Sequence, residues 1–397
     1  MYPHPQGPLE SAEQMVELDN TFLTSDPLGY FVSRAGMIHA WALLARGDQS
    51  EGSENARDER ARTETGGAVG RPDLQATLTA VMTNAEPEAL GPLVVSAQVA
   101  VDAFALRHHL AEAVTRLFVA CVERRTGEQS PRSSLWAHVT DDKRQTHELI
   151  AAASKAGTAL GEDGFAALIL PPDRDFCATA GPKRLEESLG VAADWVEHAV
   201  ALLRPADLDV NTAHNKVKHG LAVRGRADLR LSFTTQGPDA DGNLPLSALG
   251  DDVSFSIFES PVLEFLSRPR VVDLPRQGLE VTQLRLDYRA LLAEAAMMAH
   301  VHGSLFHVAA SQHFSERPVP TGLRVAAHPG LFPAEAVRPN IAGHQVGLRI
   351  PITAPPGGGE PRPAWYGHRD GSGMTLRFTG RKGSGRVVDD AAPGPEG

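Results

Sequence analysis

Residues 92–125 read PLVVSAQVAVDAFALRHHLAEAVTRLFVACVERR. Val94, Val99, Phe104, Leu110, Val114, Leu117 and Cys121 recur along this stretch as a long apolar pattern of the kind an amphipathic helix presents to a core. Gln98, Asp102 and the Gly91-Pro92 step make it too polar to span a membrane. It therefore reads as the core helix of a helical domain, within strongly helical territory that begins at Pro72.

The flanks repeat the theme. Upstream, residues 28–46 carry Phe31, Ala35, Ile38, Ala42 and Leu43 near a helical spacing, with Asp26-Pro27 as the start signal. Between the two helices, residues 47–70 are Gly, Ser, Glu, Arg and Thr with hardly a large apolar side chain, and are expected to be a disordered excursion. Downstream, residues 143–160 form a helix that Gly161 should end, and residues 182–203 place Leu185, Leu189, Ala192, Val196 and Val200 on one stripe before Pro205. A further helix is expected over 206–223. The prediction is a mainly α chain: a flexible arm over 1–27, then an antiparallel helical bundle over 28–225.

Beyond Gly225 the period changes from helical to alternating. Leu229, Leu231 and Phe233, then Val253, Phe255 and Ile257, alternate with small or polar residues on either side of a turn at 237–243. Strands at 281–288 and 344–352 around a helix at 289–306 complete a smaller α+β unit over 226–354. From 355 to 397 Gly and Pro dominate, and the segment reads as largely disordered, although 374–378 carries a strand pattern.

With 397 residues, two cores are the default. The net charge of −11 excludes a whole-molecule electrostatic footprint for nucleic acid, so any such site must be local. Cys121 and Cys177 show no paired spacing, which points to a reducing, cytoplasmic setting, and the N-terminal residues lack the pattern of a secretory signal.

The densest set of chemically able side chains is residues 211–220, NTAHNKVKHG. On a helix Asn211, Asn215 and His219 recur every fourth residue, with His214 and Lys218 as a neighbouring pair. Amide, imidazole and ammonium groups together suit a phosphodiester: imidazole moves a proton near neutral pH and lysine offsets charge developing on phosphate. The bland alternative, a polar helix face hydrogen-bonded to its neighbours, carries at least equal weight.

This stretch resembles the HEPN superfamily of helical-bundle proteins, many of which cleave RNA. The family signature is an Arg, usually followed by Asn, Asp or His, with four to six residues between the Arg and a His. Asn215 and His219 match its polar and histidine positions, while His214 stands where the family has arginine. The resemblance implies a metal-independent ribonuclease without a cofactor, with His219 as general acid or base, Asn215 positioning the scissile group and His214 or Lys218 on the phosphate. Arg224 or Arg226 would replace the missing arginine. It also implies RNA as partner and a homodimer that joins two motifs in one cleft. The competing expectation is a non-enzymatic interaction module that uses the bundle as a scaffold for a protein partner.

Other candidates rank lower. Arg34 to His39 keeps the arginine-to-histidine spacing but has Ala35 where a polar residue belongs. Arg107-His108-His109 is expected on the solvated side of its helix, and His198 is expected to make a surface hydrogen bond with Asp194. No metal site is expected: His214 and His219, five apart, point about 140 degrees from one another on a helix, and His300, His302, His307 and His313 lack a chelating arrangement. The Gly380–Arg386 stretch reads as a basic tail rather than a phosphate loop.

Overall fold

The computed structural model describes residues 11–45, 92–127, 133–140, 144–204, 210–220, 223–228, 231–234, 254–258, 261–267, 279–339, 347–351, 364–367, 374–376, 378–381 and 384–387. The excursion expected at 47–70 and the turn expected at 237–243 lie outside the described residues. The described chain is mainly α-helical with a smaller antiparallel sheet. Among the described residues no helix is long and apolar enough to cross a membrane.

The helices are α1 (Ala12–Leu23), α2 (Pro27–Ala45), α3 (Pro92–Thr126), α4 (Leu135–Val139), α5 (Thr146–Ile169), α6 (Arg174–Ala180), α7 (Pro182–Leu203), α8 (Val210–Lys218) and, after five strands, α9 (Tyr288–Phe314). Contacts divide the chain into two units. The first comprises residues 1–35, 103–221 and 289–344, and the second residues 36–102, 222–288 and 345–397. Nearly all of α9 thus belongs to the helical unit, whereas a linear reading places it among the strands.

In the helical unit, α7 buries Val191, Ala192, Trp195, Val196, Ala199, Val200 and Leu203. The Trp195 indole donates to the Val337 carbonyl at 2.8 Å, so a non-helical segment after α9 closes over the core. Phe104, Leu110 and Leu117 of α3 and Phe306 of α9 are essentially inaccessible, and each large side chain of this kind is worth about 1.5–3 kcal/mol when fully buried.

Three local expectations need correction. Part of the expected flexible arm is α1, started by a reciprocal Ser11 and Gln14 capping box and held by Asp19, which accepts from Ser134 Oγ at 2.7 Å. Gly161 does break the helix as expected, at φ 61°, ψ 179°, but beyond this kink α5 resumes to Ile169, past the end expected from the sequence. The helix expected over 206–223 is the shorter α8.

The second unit is built on strands β1 (Val223–Arg226), β2 (Leu231–Thr234), β3 (Ser254–Phe258), β4 (Val262–Ser267), β5 (Glu280–Arg285), β6 (Gly347–Pro351), β7 (Ala364–Gly367), β8 (Met374–Leu376), β9 (Phe378–Arg381) and β10 (Ser384–Val387). Six of them form one antiparallel sheet in the order β1-β4-β5-β6-β7-β8. Beside it, β2 pairs with β3 and β9 with β10. Four strands therefore fall in the stretch expected to be largely disordered. The aromatic pair Trp365-Tyr366 suits an extended backbone better than the surrounding Gly and Pro suggest. Within this unit β1 lies close on the first turns of α3: a Cβ at Gly225 would sit 3.3 Å from the Ala97 Cβ, so any larger residue would push Ala97 and Val101 back by a few tenths of an ångström.

Candidate functional site: a histidine cluster in the helical unit

Helix α8 ends where Gly220 turns left-handed, at φ 63°, with the Gly220 N–H donating to the Val217 carbonyl at 3.1 Å. Val210, Ala213 and His214 face the core, while Asn215, Lys218 and His219 are exposed. His219 lies just past the helix, with its N–H donating to the Asn215 carbonyl at 3.1 Å. The expected row of Asn211, Asn215 and His219 is therefore divided: Asn211 is half-buried and turned to α3.

His214 is only 2% exposed, which corrects its expected role as a phosphate contact in place of arginine. Its ring stacks on His108 of α3, with centroids 4.2 Å apart, and meets His109 edge-on at 5.1 Å. His108 Nε2 is 3.0 Å from Asn211 Oδ1. Amide oxygen only accepts, so His108 carries its proton on Nε2. Arg34 of α2 reaches the same cluster, with Nη1 3.4 Å from His109 Nδ1. Guanidinium only donates, which makes Nδ1 the acceptor and puts the His109 proton on Nε2.

Burial decides the charge of this cluster. It drives the His108 pKa down to about 4, against the opposing effect of the hydrogen bond His108 donates to Asn211, and the charges of Arg107, His109 and Lys218 add to the fall. His214 falls to about 3, first through burial and then through its two histidine neighbours. His109 is lowered by burial and then by the positive charges of Arg34 and Lys218. The result is a stack of neutral imidazoles with His109, Arg34 and Lys218 toward its accessible edge. Among the described residues no group of His, Cys, Asp and Glu is placed to hold a metal, and these rings meet by faces and edges rather than by converging nitrogens.

Behind the stack lies a second polar group. Arg107 and His198, expected at the surface, are both buried. Glu294 of α9 receives Arg107 Nη1 at 3.4 Å and His198 Nε2 at 2.7 Å. Asp194, the expected partner of His198, instead pairs with Arg338. The sequence did carry a signal: Arg107 and His108 sit three and four residues after Phe104 and one turn before Ala111, on the core-facing side of α3.

The remaining expected residues lie elsewhere. Arg224 and Arg226 are on β1 in the second unit. Arg226 is committed to Asp228 through two contacts of 3.0 Å and lies 3.9 Å from Glu264, so its charge is already offset. Arg224 is exposed, at the register position opposite Glu264. His39 is exposed on α2. His300 and His307 bond to backbone carbonyls at 3.0 and 2.7 Å, as structural histidines do. Compared with protein-family models, with curated proteins and with solved structures, the chain matches none.

Proposed function

We propose that the helical unit binds RNA and cleaves it without a metal ion, as the HEPN-like character of residues 211–220 suggests, but with His109 as the general base in place of His219 and with Arg34 rather than His214 on the phosphate. The observation that carries this reading is the meeting of a neutral imidazole, His109, with the guanidinium of Arg34 at 3.4 Å, under the positive charge of Lys218. A neutral imidazole is the form that accepts a proton, and two cations beside it are what a phosphodiester requires as its charge grows. Arg34 turns to the phosphate and vacates Nδ1. That nitrogen then takes the proton of the ribose 2′-hydroxyl, whose oxygen attacks phosphorus. A 2′,3′-cyclic phosphate forms, the bond to the 5′ oxygen breaks, and the departing oxygen takes a proton from His219 or from solvent. Asn215, exposed one turn before His219, positions the strand. A two-fold dimer in a reducing, cytoplasmic setting would place two such clusters around one strand.

The test is a panel of single-stranded RNAs incubated with protein in EDTA, resolved by length. Wild type should yield cyclic-phosphate ends, and His109→Ala and Arg34→Ala should each lower the rate about a hundredfold or more with the melting temperature nearly unchanged. RNAs that stay intact and unbound with wild type would remove the reading. Unchanged cleavage by the two variants would move the chemistry away from His109.

A further inference from the structure

A second cleft in the helical unit, of about 500 Å3, is lined in part by the same Asn211 but by none of the stacked histidines. It is lined by Arg116 of α3, by Arg144, Thr146 and His147 at the start of α5, and by Asn211 of α8. Ile150 and Leu203 supply an apolar wall. Both guanidiniums are braced: Arg116 Nε donates to Glu112 at 2.9 Å and Arg144 Nη2 to Glu123 at 3.2 Å. Neither glutamate lines the cleft, so each carboxylate partly offsets its arginine's charge from outside the cleft, and a ligand there gains from hydrogen bonds more than from net charge. Such bracing lowers the entropy lost when a ligand is clasped.

The charged groups lining this space are donors. Arginine has no acceptor, and the threonine hydroxyl and the asparagine amide can turn their donors inward; the first turn of α5 is itself capped by Glu148, which accepts from the Gln145 N–H at 2.8 Å. A complementary ligand is rich in acceptors and multiply negative. A carboxylate presents two oxygens and one charge, which a single arginine fork already satisfies. A phosphate monoester presents three terminal oxygens and a charge of about −1.5 to −2 near neutral pH, which matches two forks and an imidazole. The cleft volume is in the range that takes a small organic ligand, with Ile150 and Leu203 available to an apolar face.

We infer that this cleft binds a nucleoside 5′-phosphomonoester, either a free nucleotide or the phosphorylated end of an RNA strand. The inference is independent of any cleavage chemistry at His109. Its test is equilibrium binding to the full chain by calorimetry, with AMP, adenosine, and a tetranucleotide RNA carrying a 5′-phosphate or a 5′-hydroxyl. AMP should bind, adenosine should bind at least about tenfold more weakly, and Arg116→Gln and Arg144→Gln should each cost AMP about tenfold or more. His147→Gln, at an exposed position, should weaken AMP measurably while leaving the fold intact, and serves if an arginine variant does not fold. A tetranucleotide that binds more tightly with its 5′-phosphate identifies an RNA end as the source. Two tetranucleotides that bind alike identify the free nucleotide. Absence of AMP binding, equal binding of AMP and adenosine, or folded variants that hold AMP as wild type does would each overturn the inference.

Discussion

His108, His214 and His302 show what a buried imidazole costs at the scale of one residue. Burial holds all three neutral, with pKa values of about 4, 3 and 4, whereas the unfolded chain titrates its histidines near the ordinary value of about 6.5. Above that value neither state takes up protons on these groups and stability is at its full level. Between about 6.5 and 4 the unfolded state binds protons that the folded state refuses, so each histidine removes about 1.4 kcal/mol of stability per pH unit. Urea midpoints measured from pH 7.5 to 5 should therefore fall steadily below pH 6.5, and the triple variant with each histidine replaced by glutamine should show a flatter profile. A midpoint that does not move over this range would contradict the neutral stack. The sequence reading missed this property because residues 107–109 look like a solvated polar run, although the spacing from Phe104 and Ala111 puts Arg107 and His108 on the core-facing side of α3. What was legible was that residues 211–218 are helical; which polar side chains there face solvent was not, because Asn211 and His214 turn inward while Asn215, Lys218 and His219 are exposed.

At the scale of elements, two features of the helical unit have measurable weight. Glu294 ties α9 to α3 and α7 through Arg107 and His198, all three nearly inaccessible. Removing the carboxylate takes the ion-pair partner of a buried guanidinium, so Glu294→Ala should cost about 3–5 kcal/mol, read as a shift in the denaturation midpoint. Gly161 sits where only glycine is comfortable, and no atom lies within 4 Å of where its Cβ would be. Gly161→Ala should then cost about 1–3 kcal/mol through backbone strain alone, and a neutral result would mean that α5 can straighten. The sequence placed the helices well because their apolar stripes are long. It misplaced their ends, since a glycine inside a periodic run signals a stop or a kink equally, and it missed α1 because a twelve-residue helix with a weak stripe is betrayed mainly by its capping box.

For the whole molecule, the net charge of −11 sets how RNA binding should respond to salt. If Arg34, Lys218 and one arginine of the cleft are the groups that meet phosphates, few counterions are released, and the affinity for single-stranded RNA should fall with salt at a log–log slope of about −2. A slope several times steeper would require a broad basic surface that a chain of this charge does not supply. The mainly helical character and the smaller strand-bearing unit were legible from the change of period near Gly225. The discontinuous make-up of each unit was not, because α9 is drawn to the helices by Glu294 and Phe306, contacts that no linear reading of the chain reveals.

The anchoring of α1 sets an order of events during biosynthesis. Asp19 finds Arg124, Ser134 and the Trp136 amide more than a hundred positions later, and Asn20 meets His313 at a separation of 293 residues. At a translation rate of roughly 5–20 residues per second, α1 waits on the order of ten seconds to a minute between its own emergence and that of its last partner. For that interval the side of α1 that meets Phe306 and His313 is open to chaperones and proteases, and it is covered only after the end of α9 has left the ribosome. Nascent chains arrested before residue 313 should lose α1 to brief proteolysis, and chains arrested well beyond it should keep it.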